Sequence, residues 1–284
     1  MTRRTDFATF AMRCAEQSQQ MKHPGEAYLA QHLGRFYETF QVCSQMVPQG
    51  AKTLSVGAGD AYVEQQLARA VGAQITVVDF PEAIRSREED YRRHGFHTVA
   101  ANLAGQPQFE VDGLFDVVLS FEVVEHLPIP PHQHIGSLSE LLRPGGYFIL
   151  TTPNMAHLPN VLRLLRGRSI LPNAQLTFSP AIYENEHVHR REYVASELVE
   201  AMRQAGLRHE KTIYMSCRNL ASLKGLLRRL YDLAPRWKKT LLLVGRKQPL
   251  HSACNVGQVA KVPEARQIGN LPHMSMLHFY CDGP

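Results

Sequence analysis

At 284 residues, with 44% hydrophobic and 20% charged positions, the chain has the length and balance of a folded globular protein, which excludes a disordered or fibrous one. Its net charge of +5 conceals an asymmetry: residues 1–142 hold 11 Lys and Arg against 17 Asp and Glu, whereas residues 143–284 hold 20 against 9. An acidic half joined to a basic half points to a surface for phosphates, nucleic acid or an anionic membrane, set against the plainer reading of two solvated faces.

In chain order, Met1-Thr-Arg-Arg is basic, but the apolar stretch Phe7–Met12 is short and stops at Arg13, a poor signal-peptide core. No apolar run approaches the roughly 18 residues of a membrane span. Cys14, Cys43, Cys217, Cys254 and Cys281 are scattered and form no C-x-x-C pair. They fit a reducing compartment, and we expect a cytoplasmic protein. Leu29, Leu33, Phe36, Phe40, Cys43 and Val47 follow steps of four and three, one stripe of a helix that Pro48-Gln-Gly50 ends. Strand, glycine turn, helix and strand come next: Thr53–Val56, Gly57-Ala-Gly59, then Val63, Leu67 and Val71 at helical spacing, then Ile75–Val78 ending at Asp79. Further strands are expected at His97–Ala101, Phe115–Ser120 and Tyr147–Thr151, with a helix over Pro131–Arg143. Continuous apolar strands separated by helices predict a doubly wound α/β fold around a mostly parallel sheet. After Pro153 the periodicity weakens through Met155–Tyr193, an insertion or cap. A helix at Ala195–Ala205, a strand near Lys211–Met215, a basic amphipathic helix near Leu220–Leu233 and a strand at Thr240–Val244 follow. Gln248–Pro284 carries no period.

Glycine at 57 and 59 lets backbone N–H groups approach a ligand closely. Asp79, about twenty residues on at the end of the second strand, is placed to accept both hydroxyls of a ribose. The dinucleotide form G-x-G-x-x-G would need glycine where Tyr62 stands. Four segments then decide the cofactor: Ser55-Val-Gly57-Ala-Gly59-Asp-Ala61, Val77-Val-Asp79-Phe80, Phe115–Leu127 with its Glu122-Val-Val-Glu125-His126, and Leu141–Asn154 with its Arg143-Pro-Gly-Gly turn. Together they resemble the class I S-adenosylmethionine-dependent methyltransferases, over about Thr53 to Lys247. The resemblance implies a seven-stranded Rossmann-like sheet and a division into an N-terminal helical lid (1–50), a methyltransferase domain (51–247) with an acceptor-side insertion (155–193), and a tail (248–284). It also implies that S-adenosylmethionine is held by Gly57 and Gly59, with Ala58 between them, at its methionine end, by Asp79 at the ribose, by Phe80, Asn102 and Leu103 around the adenine, and by Phe121 closing the pocket. Two departures stand out. Ser55 replaces the acid that usually opens the first motif, with Asp60 as a candidate replacement, and Ala61 stands for the third glycine.

Glu122, Glu125 and His126 at i, i+3, i+4 are expected on one side of a helical turn, at the carboxyl edge of the sheet. With His189 they form a candidate Mg²⁺ or Mn²⁺ site. In the metal-free version His126, His189 and Glu125 serve as catalytic groups, His126 taking the acceptor's proton. The pattern, with Tyr183, Glu184, Glu186, His187 and His189 in the insertion, resembles metal-dependent small-RNA 2′-O-methyltransferases and quinone-pathway O-methyltransferases. His132 and His134 read as a solvated helix start. The segment Leu158–Arg168 resembles methyltransferases of surface-polysaccharide and secondary-metabolite pathways, with Arg163, Arg166 and Arg168 fit for phosphate. The expectation is O-methylation of a hydroxyl on a sugar, glycan or other small anionic metabolite. RNA 2′-O-methylation, N-methylation of an amine and a degenerate partner subunit are the alternatives. The oligomeric state is not fixed by the sequence.

Overall fold

A computed structural model describes residues 5–21, 26–103, 111–171, 189–216 and 234–249. Helices α1 (Phe7–Gln20) and α2 (Glu26–Met46) precede the first strand. Then come β1 (Lys52–Val56), α3 (Tyr62–Val71), β2 (Gln74–Asp79), α4 (Pro81–Arg93), β3 (His97–Ala100), β4 (Phe115–Phe121), α5 (Pro131–Glu140) and β5 (Leu142–Pro153). The remainder comprises α6 (Leu158–Leu165), α7 (Ala195–Gln204), β6 (Leu207–Met215), a 3₁₀ turn (Pro235–Trp237) and β7 (Thr240–Lys247). The expected basic helix at 220–233 and the tail from 250 lie outside the described residues.

The seven strands form one sheet in the order β3-β2-β1-β4-β5-β7-β6, and the doubly wound, mostly parallel reading holds. β7 alone reverses, pairing antiparallel with β5 (Ile149 opposite Val244) and with β6. Residues alternate to two buried faces. Val77, Val117, Leu119 and Ile149 join a cluster under α1–α4, whereas Leu54, Val56, Val118, Phe148 and Leu150 join one under α5 and α7. With both faces covered, the central strands carry apolar side chains at nearly every position, which is why they read as continuous runs.

Chain direction across the sheet changes between β1 and β4. From β1 the chain moves outward to β2 and β3, then returns to the other side of β1 as β4. A crevice at the carboxyl ends of β1 and β4 follows from that reversal, and ligands of open α/β sheets sit there. The Arg143-Pro-Gly-Gly turn positions β5: a Cβ on Gly146 would lie 2.9 Å from the carbonyl oxygens of Arg143 and Asp116, so only glycine fits.

The N-terminal helices are packed layers of this unit. Phe10, Cys14, Phe40 and Cys43 are buried with Leu67 and Val63 of α3. Asp6 caps α1, its carboxylate accepting from the Thr9 N–H at 2.8 Å. The short apolar stretch Phe7–Met12 is thus the start of an amphipathic helix. Helix α6 differs from every longer helix among the described residues, since none of its residues is buried.

Candidate active site

On the donor side, β1 runs into a turn whose backbone is left-handed at Gly57 (φ +65), Gly59 (φ +55) and Ala61 (φ +51). A Cβ on Gly57 would stand 2.7 Å from Val123 Cγ2 of the turn after β4, so the two loops interlock. Ala61 keeps the conformation its glycine-favouring position demands, next to the first residue of α3. Tyr91 of α4 donates to the Gly59 carbonyl at 2.6 Å, and Gln17 of α1 donates to the Asp60 carbonyl at 2.7 Å. Both hold the turn's shape from outside. Asp79 ends β2, nearly buried, with its carboxylate accepting from the Phe80 N–H at 2.8 Å. Asn102 and Leu103 follow β3, the first exposed and the second buried, and Phe121 ends β4 half-buried. All the donor residues read from the sequence therefore gather along the carboxyl edge of β1, β2, β3 and β4. They fit S-adenosylmethionine: glycines that leave room over the turn, a carboxylate for the ribose, and apolar side chains beside it.

Two acids stand near the turn that lacks the motif acid. Asp60 is held by Arg87 of α4 at 3.0 Å. Glu64 of α3 instead accepts from the Ser55 hydroxyl at 2.6 Å, with both residues buried. A carboxylate thus stands behind the glycine turn, delivered by the helix through the serine. Burial pushes Glu64 up from 4.5 to about 6. Because the native state then binds the proton more tightly than the unfolded chain, stability contributed by protonated Glu64 is full below about pH 4.5 and falls as the pH rises to about 6. The difference amounts to roughly 2 kcal/mol at 1.36 kcal/mol per pH unit. Glu64→Gln is expected to flatten this part of the stability profile, so that its stability relative to the parent rises between pH 4.5 and 6 and is level above. Urea unfolding at several pH values measures it, and a constant difference across that window would contradict the assignment.

On the acceptor side the structure corrects one expectation. Glu122, Glu125 and His126 do not share a helical turn: the strand ends at Phe121, Glu122 adopts a left-handed backbone (φ +56), and 124–126 form a tight turn. That reversal turns Glu122 toward α2 and leaves it outside the group that Glu125 and His126 form, although its charge still acts on Glu125. Glu122 pairs with Arg35 of α2 at 2.5 Å, and Arg35 also donates to the Tyr28 hydroxyl oxygen at 3.0 Å. Glu125, His126 and His189 do come together, one ligand atom of each lying within 4.8 Å of the others. The His126 and His189 rings meet edge to face at 4.8 Å. Glu125 is fully buried; one carboxyl oxygen accepts from Thr152 at 2.9 Å, and the other has no protein hydrogen-bond partner and lies 3.9 Å from His126 Nε2. Burial, reinforced by the Glu122 charge, holds the Glu125 carboxyl well above the usual carboxylate range.

His189 is brought to this turn by main-chain bonds. The N–H groups of Arg190 and Arg191 donate to the Glu125 carbonyl at 2.7 and 3.2 Å, and the Arg190 side chain donates to the His126 carbonyl at 2.9 Å. Glu192, 3.7 Å from His189 and bonded by Asn160 at 2.9 Å, is held below its ordinary value by His189 and, on balance, despite its burial. His189, Arg190, Arg191 and Glu192 line, with Met155, Ile170 and Leu171, a cleft of about 280 Å³. Tyr183, Glu184, Glu186 and His187 lie outside the described residues. His134 is no solvated helix residue: it is fully buried against Ser120 at 3.0 Å, and burial pushes it down to about 4.

Arg35 was not foreseen from the sequence, because 87 residues separate it from Glu122 and no local pattern links them. Replacing it with Met strands a carboxylate whose side chain is only 16% exposed. We expect about 2–3 kcal/mol of lost stability, at the low end for a broken buried pair, and partial recovery when Glu122→Gln is added. Denaturant melts of the single and double variants check this; equal losses in both would contradict it.

The comparisons with known proteins agree with this geometry. Residues 28–212 match the family described as "Methyltransferase domain". A ubiquinone biosynthesis O-methyltransferase of Xanthomonas axonopodis pv. citri (strain 306) is 30% identical over 195 residues, 64% of this chain and 74% of that protein. Among solved structures, an S-adenosylmethionine dependent methyltransferase from Mesorhizobium loti superposes with a TM-score of 0.53 at 12% identity, over 74% of this chain and 98% of that one. Magnesium protoporphyrin IX methyltransferase from Synechocystis PCC 6803, solved with bound SAH, gives 0.51 at 14% identity, over 85% and 96%. Those two show the fold. With the family matched over most of the chain and the donor residues lined along the sheet edge, the chain belongs to the methyltransferase-domain family and is a class I S-adenosylmethionine-dependent methyltransferase.

Proposed function

We propose that this methyltransferase acts on oxygen, methylating a hydroxyl of a sugar, glycan or other small metabolite that carries anionic groups, with His126 as the base. The observation that carries the reading is the Glu125, His126, His189 cluster at the carboxyl edge of β4, beside the cleft. When bound, S-adenosylmethionine supplies an electrophilic methyl group. His126 takes the proton of the acceptor hydroxyl as its oxygen becomes the nucleophile, a role typically worth 10²–10⁴ in rate. The buried carboxyl of Glu125 hydrogen-bonds the acceptor oxygen or steadies the imidazole, and His189 packs edge-on against it. The basic second half of the chain, with 20 Lys and Arg against 9 Asp and Glu over residues 143–284, supports an anionic acceptor. The name of the Xanthomonas relative, an O-methyltransferase, supports oxygen over nitrogen.

A second reading is favoured by the unpartnered oxygen of Glu125. Glu125, His126 and His189 would hold a divalent cation there, which would lower the cost of ionising the hydroxyl. Glu122, tied to Arg35, stands outside that set. Two imidazoles suit Mn²⁺ better than Mg²⁺.

The acceptor atom is tested with methyl-labelled S-adenosylmethionine and three probes: catechol, a uridine-diphosphate sugar and aniline. Label on oxygen of catechol or the sugar supports the reading. Label on aniline alone, or on none of the three, overturns it.

A further inference from the structure

We propose that helix α6 and the turn after it form an interfacial anchor that seats the protein on an anionic lipid bilayer, beside the acceptor cleft. Leu158, Val161, Leu162 and Leu165 recur at i, i+3, i+4 and i+7, the spacing of one helical stripe. In α2 and α3 such a stripe is buried; in α6 nothing is. Leu162 is 38% exposed, Leu164 53%, Leu165 78% and Leu171 54%, so half of the eight large exposed hydrophobics among the described residues fall within ten positions. Apolar side chains concentrated in this way mark a contact surface rather than scattered surface leucines.

Charge identifies what the surface meets. Arg163, Arg166 and Arg168 are interleaved with the leucines and exposed, and no Asp or Glu occurs from Asn154 to Leu171. Guanidinium groups bind phosphate through paired donors, while their stems lie along apolar surface. Leucines that enter an acyl layer and arginines that stay at its phosphates are the two halves of an interfacial helix. Nucleic acid would engage the arginines and leave the leucines in water. At eight residues α6 is far short of a span, and no described helix is long and apolar enough to cross a membrane. Ile170 and Leu171 continue the apolar surface into the cleft they share with His189. The anchor therefore places the cleft against the bilayer. None of this depends on which acceptor atom is methylated.

Sedimentation of the full chain with vesicles is the test. We expect binding to vesicles of phosphatidylglycerol and phosphatidylcholine, at least about tenfold weaker binding to phosphatidylcholine alone, and release by high salt, following the electrostatic attraction to anionic headgroups. Arg163→Gln with Arg166→Gln and Arg168→Gln should weaken partitioning on the order of 100-fold, from the near-surface contribution of each arginine. Leu162→Asp with Leu165→Asp should abolish it while leaving the melting temperature and S-adenosylhomocysteine affinity unchanged. Failure to bind anionic vesicles overturns the proposal, as does undiminished binding by the leucine variant. So does a parent dimer that the leucine variant dissolves, which would assign the face to a second copy, or RNA binding that displaces the vesicles and ignores the leucines.

Discussion

Asp79→Ala should weaken S-adenosylhomocysteine binding by about 10²–10³-fold without unfolding the protein. The side chain sits at the carboxyl end of β2, nearly buried, with its orientation fixed by the N–H of Phe80. A carboxylate held in this way can accept two ribose hydroxyls at once. Hydrogen bonds to a charged partner contribute roughly 1.5–3 kcal/mol each, which sets the size of the loss. Removing the carboxylate also frees the Phe80 N–H, so Asp79→Asn, which keeps an acceptor oxygen, separates the two contributions. It should recover part of the affinity. Calorimetric titration measures all three proteins; equal affinity in parent and alanine variant would remove Asp79 from the donor site.

Gly57→Ala combines two costs in one methyl group. Its backbone is left-handed, where an L-residue pays about 1–2 kcal/mol. Its Cβ would also meet Val123 Cγ2 at 2.7 Å, and a β-branched neighbour has few rotamers with which to yield. Overpacking of this kind costs about 1–3 kcal/mol. We expect a total near 3 kcal/mol in urea unfolding, together with loss of S-adenosylhomocysteine binding as the turn is displaced. Val123→Ala in the same chain should return the steric part and not the backbone part, giving a coupling of about 1 kcal/mol in a double-mutant cycle. Additive effects would show that the two loops do not interlock.

The sheet, and the gathering of the donor candidates along its edge, were legible because their signals are local. Apolar runs such as Val117–Leu119 report burial on both faces, and Asp79 follows the glycine turn at a fixed interval set by one helix and one strand. Helices α1 and α4 carry end signals in the sequence. Asp6 with Thr9 marks the start of the first, while Pro81, Glu82 and the Arg92-Arg93 pair bracket the second. What failed was inference from spacing alone. The i, i+3, i+4 pattern of Glu122, Glu125 and His126 presumes helical dihedrals, and the positive φ of Glu122 breaks that presumption. A non-glycine residue in that region carries no sequence mark. The Arg35–Glu122 and Ser55–Glu64 contacts likewise join different elements, and side chains of either pair could have been solvated as far as the sequence showed. For Ser55 a signal did exist: a motif position lacking its acid, with a glutamate facing inward on the next helix.

Methyl transfer to a hydroxyl probe by the EDTA-treated parent and by His126→Ala, followed side by side, decides whether His126 is the base. With His126 as the base, the parent keeps its rate in EDTA, and His126→Ala loses at least about 10²-fold in kcat while binding S-adenosylhomocysteine as tightly as the parent. A parent silenced by EDTA and restored by Mn²⁺ would give the cluster to a metal, and a His126→Ala protein as fast as the parent would contradict the assignment of the base.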